Sequence, residues 1–280
     1  TSLYEILKQH PEIGLSSFKE PHFFDNDANW KEGVDWYEKN YFSKLDNNLI
    51  GEFSPTYLSQ SACPLRIRNT LGTGVKFIIL LRNPVERSYS HYLHTKRDEY
   101  EDLGFIDAIL NEEERLKKCN DKNDFISFSR YSYIYQGLYA QHINNYLKYF
   151  PIAQFHFVLF DDFINRREET INKIFSFLNV SKDVALELNF SSNQASVARS
   201  KMLKKFMKRK TIVSKLFKIL IPSLKLRQIF RNRIHAKNNK TISKTPLTLD
   251  QKKFCYKNYF SEQILDLEKI LGRNLDIWKL

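Results

Sequence analysis

The stretch FIILLRNPVERSYSHYLH, Phe77 to His94, decides the fold. Its first five residues are a continuous apolar run, the pattern of a strand buried on both faces of a parallel sheet. Its second part opens on Asn83, a favoured helix N-cap, and Pro84, a favoured first helical residue. In an open sheet of parallel strands, ligands bind outside the carboxyl ends of the strands. Arg82 stands at that edge, beside the free N–H groups and partial positive charge of a helix start. Together they make an anion site, most naturally for phosphate. Ser90 lies two turns along the helix, with a hydroxyl in reach of a phosphate oxygen. The competing reading pairs Arg82 with a nearby carboxylate and makes Ser90 a small packing residue, and the pattern alone leaves both open. Arg87, His91 and His94 read as surface or packing residues.

The same alternation runs outward from this junction. SLYEILKQHP reads as a helix stopped before Pro11, IGLSS as a short strand and WKEGVDWYEKNYF as a helix with an aromatic stripe. NNLIGEFSP gives a second short strand, and CPLRIRNTLG a helix with Pro near its start and Gly72 at its end. Beyond the junction, a helix is expected near Phe105–Lys117. IYQGLYAQHINNYLKYFP is amphipathic, QFHFVLFDDF is another buried strand and REETINKIFSFLNV another helix. Strands alternating with helices predict an α/β fold, with a central, mostly parallel sheet flanked by helices on both faces. After Val180 the pattern turns helical, through a basic segment to a final helix LTLDQKKFCYKNYFSEQILDLEKILG. One α/β domain with a C-terminal helical part is expected over residues 1–280.

Composition narrows the function. A chain of 280 residues is long enough for one large core. No run of 18 apolar residues and no signal-peptide pattern is present, and the first residue is Thr1, so a processed form or part of a longer protein is expected. Cys63, Cys119 and Cys255 are too few and too scattered for a disulfide framework or a metal site, and no metal is expected. The net charge of +12 is concentrated between Ser191 and Leu249, where sixteen Lys and Arg meet no Asp or Glu. Such a field attracts anions: a polymer, a membrane surface or a nucleotide.

Arg82-Asn83-Pro84-x-x-Arg87-x-x-Ser90-x-Tyr92 after a buried strand resembles the 3′-phosphate motif of sulfotransferases that use PAPS (3′-phosphoadenosine 5′-phosphosulfate). TSLYEILKQHP resembles the residues that follow that family's 5′-phosphosulfate loop. FKEPHFFD with WKEGVDWYEKNYF is similar to the catalytic stretch of the heparan sulfate and other carbohydrate sulfotransferases. YFSEQILDLEKILGRNLDIW resembles the ending of the bacterial and glycan-acting branches. The resemblance implies a three-layer, P-loop-like fold and transfer of a sulfuryl group from PAPS to a carbohydrate hydroxyl or amine, leaving PAP.

It further implies that Arg82 and Ser90 hold the 3′-phosphate, and that Thr1 and Ser2 belong to the phosphosulfate loop. Glu20 is the implied general base, and His22 and Asp25 match residues that shape the acceptor site, with His22 counted among the catalytic residues and Lys19 on the acceptor side. Base and leaving-group donors are what an in-line displacement at sulfur requires. Without the resemblance, Lys19 and Glu20 read as an exposed ion pair, and His22 with Phe23 and Phe24 as core packing. In the family, the loop's lysine and the first strand precede the position of Thr1. Turnover is therefore expected to need that loop, and the neighbours of that strand to expose apolar surface without it. Phe53 stands where the glycan enzymes often carry a lysine, which removes a cation that would contact an acidic acceptor.

Two other classes compete. A P-loop phosphotransferase lacks its GxxxxGK[ST] motif here. A non-catalytic binder of anionic polymers or membrane surfaces would use the basic segment over residues 199–240, where KLFKILIPSLKLRQIF has interfacial character but is interrupted by Pro222. Specific nucleic-acid binding is not expected. A bacterial cytoplasmic enzyme is the expected setting, the alternative being a Golgi-lumenal one whose membrane anchor lies upstream. Asn-x-Ser/Thr triplets at Asn179, Asn189 and Asn239 would suit that lumen.

Overall fold

The computed structural model describes residues 2–43, 45–47, 49–122, 124–188 and 246–280, with the backbone of 196–198 and 239–241. The chain divides into two compact units. The larger comprises Thr1–Leu93, Leu103–Ser191 and Leu247–Leu280; the smaller comprises His94–Asp102 and Ser192–Pro246.

In the larger unit, α1 (Ser2–Leu7) leads to β1 (Ile13–Leu15), then α2 (Asp27–Trp30), α3 (Val34–Tyr41) and β2 (Leu49–Gly51). The stretch expected as one helix is two, because Gly33 adopts φ +84°, a left-handed conformation that breaks the hydrogen-bond ladder. Next come α4 (Cys63–Leu71), β3 (Phe77–Leu81) and α5 (Pro84–Arg97). Asn83 caps α5 as its sequence requires, its side-chain oxygen accepting from the N–H groups of Val85 and Glu86 at 3.0 and 3.4 Å. The helix expected near residues 105–117 is again two, α6 (Phe105–Leu110) and α7 (Glu112–Asp121), followed by α8 (Phe125–Tyr131) and α9 (Tyr139–Leu147). Then β4 (Phe155–Leu159) runs into α10 (Phe160–Asn165) and α11 (Arg167–Leu178).

The smaller unit contributes an antiparallel pair, β5 (Ser196–Ala198) with β6 (Asn239–Thr241), inside a segment read as wholly helical. The basic segment otherwise lies outside the described residues up to position 245, as does Asn189 just before it. The chain closes with α12 (Leu249–Cys255), a π-turn (Tyr256–Phe260) and α13 (Ser261–Leu271), one continuous helical run as its periodicity predicts. A Thr248/Gln251 capping box starts this run, and Gly272 in the left-handed region ends it.

The strands of the larger unit are parallel, as expected, but hydrogen-bonded as two pairs rather than one sheet. Ile13 to Leu15 face Leu49 to Gly51, and Phe77 to Leu81 face Phe155 to Leu159. Helices cover both faces of the β3–β4 pair. Ile78 and Val158 pack with α1 and α11 through Leu3, Ile6, Leu7, Ile174 and Phe175. Phe77 and Phe155 stack at 4.8 Å and pack on the opposite side with Ile67, Tyr146 and Phe150. The remaining edges of β2 and β3 line one cavity of about 1360 Å³. In consequence β3, read as fully buried, is only half-buried over most of its length, and Leu80 is 40% exposed. Ile50 on β2 is 46% exposed. No helix among the described residues is long and apolar enough to cross a membrane.

Candidate active site

The polar residues of interest follow the carboxyl ends of the parallel strands, where an open sheet places its ligands. The loop after β1 carries Lys19 to Asp25, the turn after β2 carries Glu52 to Tyr57, and Arg82 follows directly on β3.

The loop after β1 is held in a conformation that side chains disfavour. Glu20 has φ +56° and His22 φ +52°, both left-handed and neither glycine. Such residues cost on the order of 1–3 kcal/mol each and persist only where their surroundings over-determine them. Here they are over-determined. The Glu20 N–H donates to the Phe53 carbonyl at 2.8 Å, and the Asn29 amide donates to the carbonyls of Pro21 and His22 at 3.2 and 2.8 Å. The Tyr57 hydroxyl accepts from the N–H groups of Phe23 and Phe24 at 2.9 and 3.3 Å. Phe23 and Phe24 are fully buried, and Phe23 stacks on Tyr37 at 4.3 Å. The aromatic pair thus anchors the loop, while His22 turns toward carboxylates instead of joining the core.

The His22 ring lies between two acids. Its Nδ1 is 3.0 Å from Asp25 Oδ2 and its Nε2 is 3.7 Å from Glu20 Oε2. Burial disfavours the imidazolium, but the hydrogen bond to Asp25 and the nearby Glu20 carboxylate outweigh it and push the His22 pKa up to about 9. The reciprocal contact from His22 lowers that of Glu20. At neutral pH His22 is therefore an imidazolium that faces the Glu20 carboxylate. Asp25 is enclosed, whereas the Glu20 side chain is 53% exposed. Thr56, absent from the sequence reading, donates to Asp25 Oδ2 and lies 3.3 Å from His22 Nδ1.

Close to this trio is a third carboxyl, Glu52, which the sequence reading did not assign. Glu52 accepts a 2.7 Å hydrogen bond from the Tyr37 hydroxyl, with the Tyr57 phenol beside it. Burial is the main cause that pushes its pKa up to about 7. Asp25 Oδ1 and Glu52 Oε1 are both buried without a hydrogen-bond partner among the described residues, and Glu52 lines the large cavity. Buried acceptors left open in this way are groups that ask for a donor.

Arg82 lines the same cavity. Tyr139 donates to its backbone carbonyl at 3.0 Å, and its guanidinium lies over the Phe160 ring at 5.2 Å. It also donates to Glu86 at 3.4 Å, so the arginine is both at the ligand edge and paired with a carboxylate. Arg87, read as a surface or packing residue, proves to be a brace: it donates to the Tyr133 carbonyl and to Gln136, and its buried Nε lacks a partner among the described residues. Ser90 is half-buried on α5 and does not border the cavity. Lys19 pairs with Glu5 at 3.2 Å and lies 4.3 Å over the Tyr4 ring. Ser2 is buried in the first turn of α1, and Thr1 lies outside the described residues. Among the described residues no group of three His, Cys, Asp or Glu is placed to hold a metal.

Residues 1–278 match the model of the sulfotransferase domain family. Heparan sulfate glucosamine 3-O-sulfotransferase 5 of mouse is 29% identical over 187 residues, covering 64% of this chain and 49% of its own. Heparan sulfate glucosamine 3-O-sulfotransferase 3B1 of human is 29% identical over 181 residues, 65% of this chain and 43% of its own. The chain spans about half the length of the curated relatives it matches. A crystal structure of a sulfotransferase from Alicyclobacillus acidocaldarius superposes with a TM-score of 0.68 at 22% identity, over 99% of this chain and 92% of that one.

Proposed function

Since the chain belongs to the sulfotransferase domain family, we propose that it serves transfer of a sulfuryl group from PAPS to a hydroxyl or amine of a carbohydrate acceptor. The observation that carries this reading is the Glu20–His22–Asp25 trio, held in a strained loop at the carboxyl end of β1. A hydroxyl attacking sulfur must lose its proton as the S–O bond to the leaving phosphate breaks, so a positioned base lowers the barrier. Glu20, ionised and exposed, is that base. His22, protonated and anchored by Asp25, keeps Glu20 ionised and oriented until the proton arrives. Arg82 is the group for the 3′-phosphate of the nucleotide. Its backbone carbonyl is held by Tyr139 and its guanidinium lies over the Phe160 ring at the cavity edge, which fits a phosphate ligand. The names of the relatives favour a glycan as acceptor. The three-layer, P-loop-like arrangement and a 5′-phosphosulfate loop upstream of Thr1 belong to the same reading.

Titration calorimetry with PAP and with adenosine 5′-phosphate tests the cofactor half. Selective PAP binding is expected, weakened about 10–100-fold by Arg82→Ala, since a charged hydrogen bond contributes about 1.5–3 kcal/mol. Indifference to the 3′-phosphate would overturn it. In a form of the protein that carries a phosphosulfate loop, Glu20→Gln is expected to abolish transfer to a glycan while PAP affinity stays unchanged.

A further inference from the structure

We propose that Lys252, on α12, is a positioning residue of the anion site, drawing Glu86 off Arg82 when a phosphate arrives. This rests on the reading of Arg82 as the 3′-phosphate group and adds a residue that reading does not use. Glu86 stands four positions after Arg82 and reaches back to its guanidinium at 3.4 Å. Its other oxygen lies 2.8 Å from the Lys252 ammonium. One carboxylate therefore bridges two cations, and its shorter contact is with the lysine.

The three side chains are comparably open, at 35%, 37% and 35% exposure, so the carboxylate can move between its partners without a burial cost. Arg82 does not depend on Glu86 for its place, because Tyr139 holds its carbonyl and Phe160 lies under its guanidinium. Lys252 is placed independently as well, in a helix whose start is fixed by the Thr248/Gln251 capping box.

A carboxylate lying against a guanidinium occupies its donors and repels an incoming phosphate. Were Glu86 served by Arg82 alone, binding would strand it beside the new anion. With Lys252 present, the Arg82–Glu86–Lys252 chain resolves into two neutralised contacts, Arg82 with phosphate and Glu86 with Lys252. The C-terminal helix thereby sets how strongly the β3–α5 junction competes for its ligand.

A double-mutant cycle with PAP and with adenosine 5′-phosphate, read by calorimetry at low ionic strength, tests this. Exposed ion pairs translate into effects of up to about fivefold. Glu86→Gln is expected to tighten PAP about three- to fivefold. Lys252→Met is expected to weaken PAP about two- to threefold in the wild-type background, to have no effect in the Glu86→Gln background, and to be rescued by Lys252→Arg. Melting temperatures of the variants identify any that fail to fold; because all substitutions are half-exposed, folded variants are expected throughout. Equal weakening in both backgrounds would mean that Lys252 touches the phosphate itself, and would overturn the proposal while leaving the role of Arg82 intact. A wild type that does not distinguish PAP from adenosine 5′-phosphate would overturn both.

Discussion

Replacing His22 by Gln removes the one cation between Glu20 and Asp25, and the consequence is a change in the pH dependence of stability. The His22 pKa rises from 6.5 in the unfolded chain to about 9 in the native one. A group that binds its proton more tightly when folded stabilises the native state fully below the unfolded pKa, and that contribution disappears as pH rises through the folded value. At ~1.4 kcal/mol per tenfold in proton affinity, allowing for a side chain 28% exposed, the contribution is about 2–3 kcal/mol. Glu52 and Glu112, both pushed up to about 7 by burial, lose their contributions between pH 4.5 and about 7. The window from pH 7 to 9 therefore isolates the histidine. Urea denaturation at half-unit intervals is expected to show the wild type losing about 2–3 kcal/mol across that window relative to His22→Gln. Parallel curves for the two proteins would refute the ion-pair account and place His22 outside the reach of its acids.

Two further outcomes follow from buried contacts. Tyr37→Phe keeps the ring stack on Phe23 but removes the donor to Glu52, and is expected to cost about 1–3 kcal/mol at pH 8, where the carboxyl is ionised. The loss should shrink at pH 5, where Glu52 carries a proton; denaturation at the two pH values checks it. Trp278 is 1% exposed and donates through its indole N–H to Asp161 at 3.2 Å, so Trp278→Ala is expected to cost about 3–5 kcal/mol in the same assay.

What the sequence made legible was local. The strand ending at Leu81, the Asn83 cap and the helix from Pro84 depend on neighbours in the chain, and the structure has all three. Glu20, His22 and Asp25 lie within six residues, and their family pattern brought them to notice together. The partners that define their chemistry are distant in sequence. Thr56 reaches Asp25 across 31 positions, because two parallel strands end side by side. Lys252 meets Glu86 only through the packing of the C-terminal helix. Polar residues immediately after a strand, such as Glu52 and Thr56, carry a usable signal: strand ends mark the ligand edge. Gly33 was a missed one, since a glycine within a helical pattern can mark a break as well as a tolerated cost.

The edges of β2 and β3 that no strand among the described residues pairs have a consequence for how the protein behaves in bulk. Backbone N–H and C=O groups on an open edge bind whatever extended chain is offered, and these edges are flanked by the exposed side chains of Ile50 and Leu80. A single apolar strand of five residues, about 17 Å long, would span β3 and close the sheet from both sides. Supplied from within the same polypeptide, it would raise the melting temperature. Drawn from another molecule, it would turn concentration into a variable of state, with monomers giving way to oligomers in light scattering as the solution is concentrated, and Leu80→Lys delaying that onset.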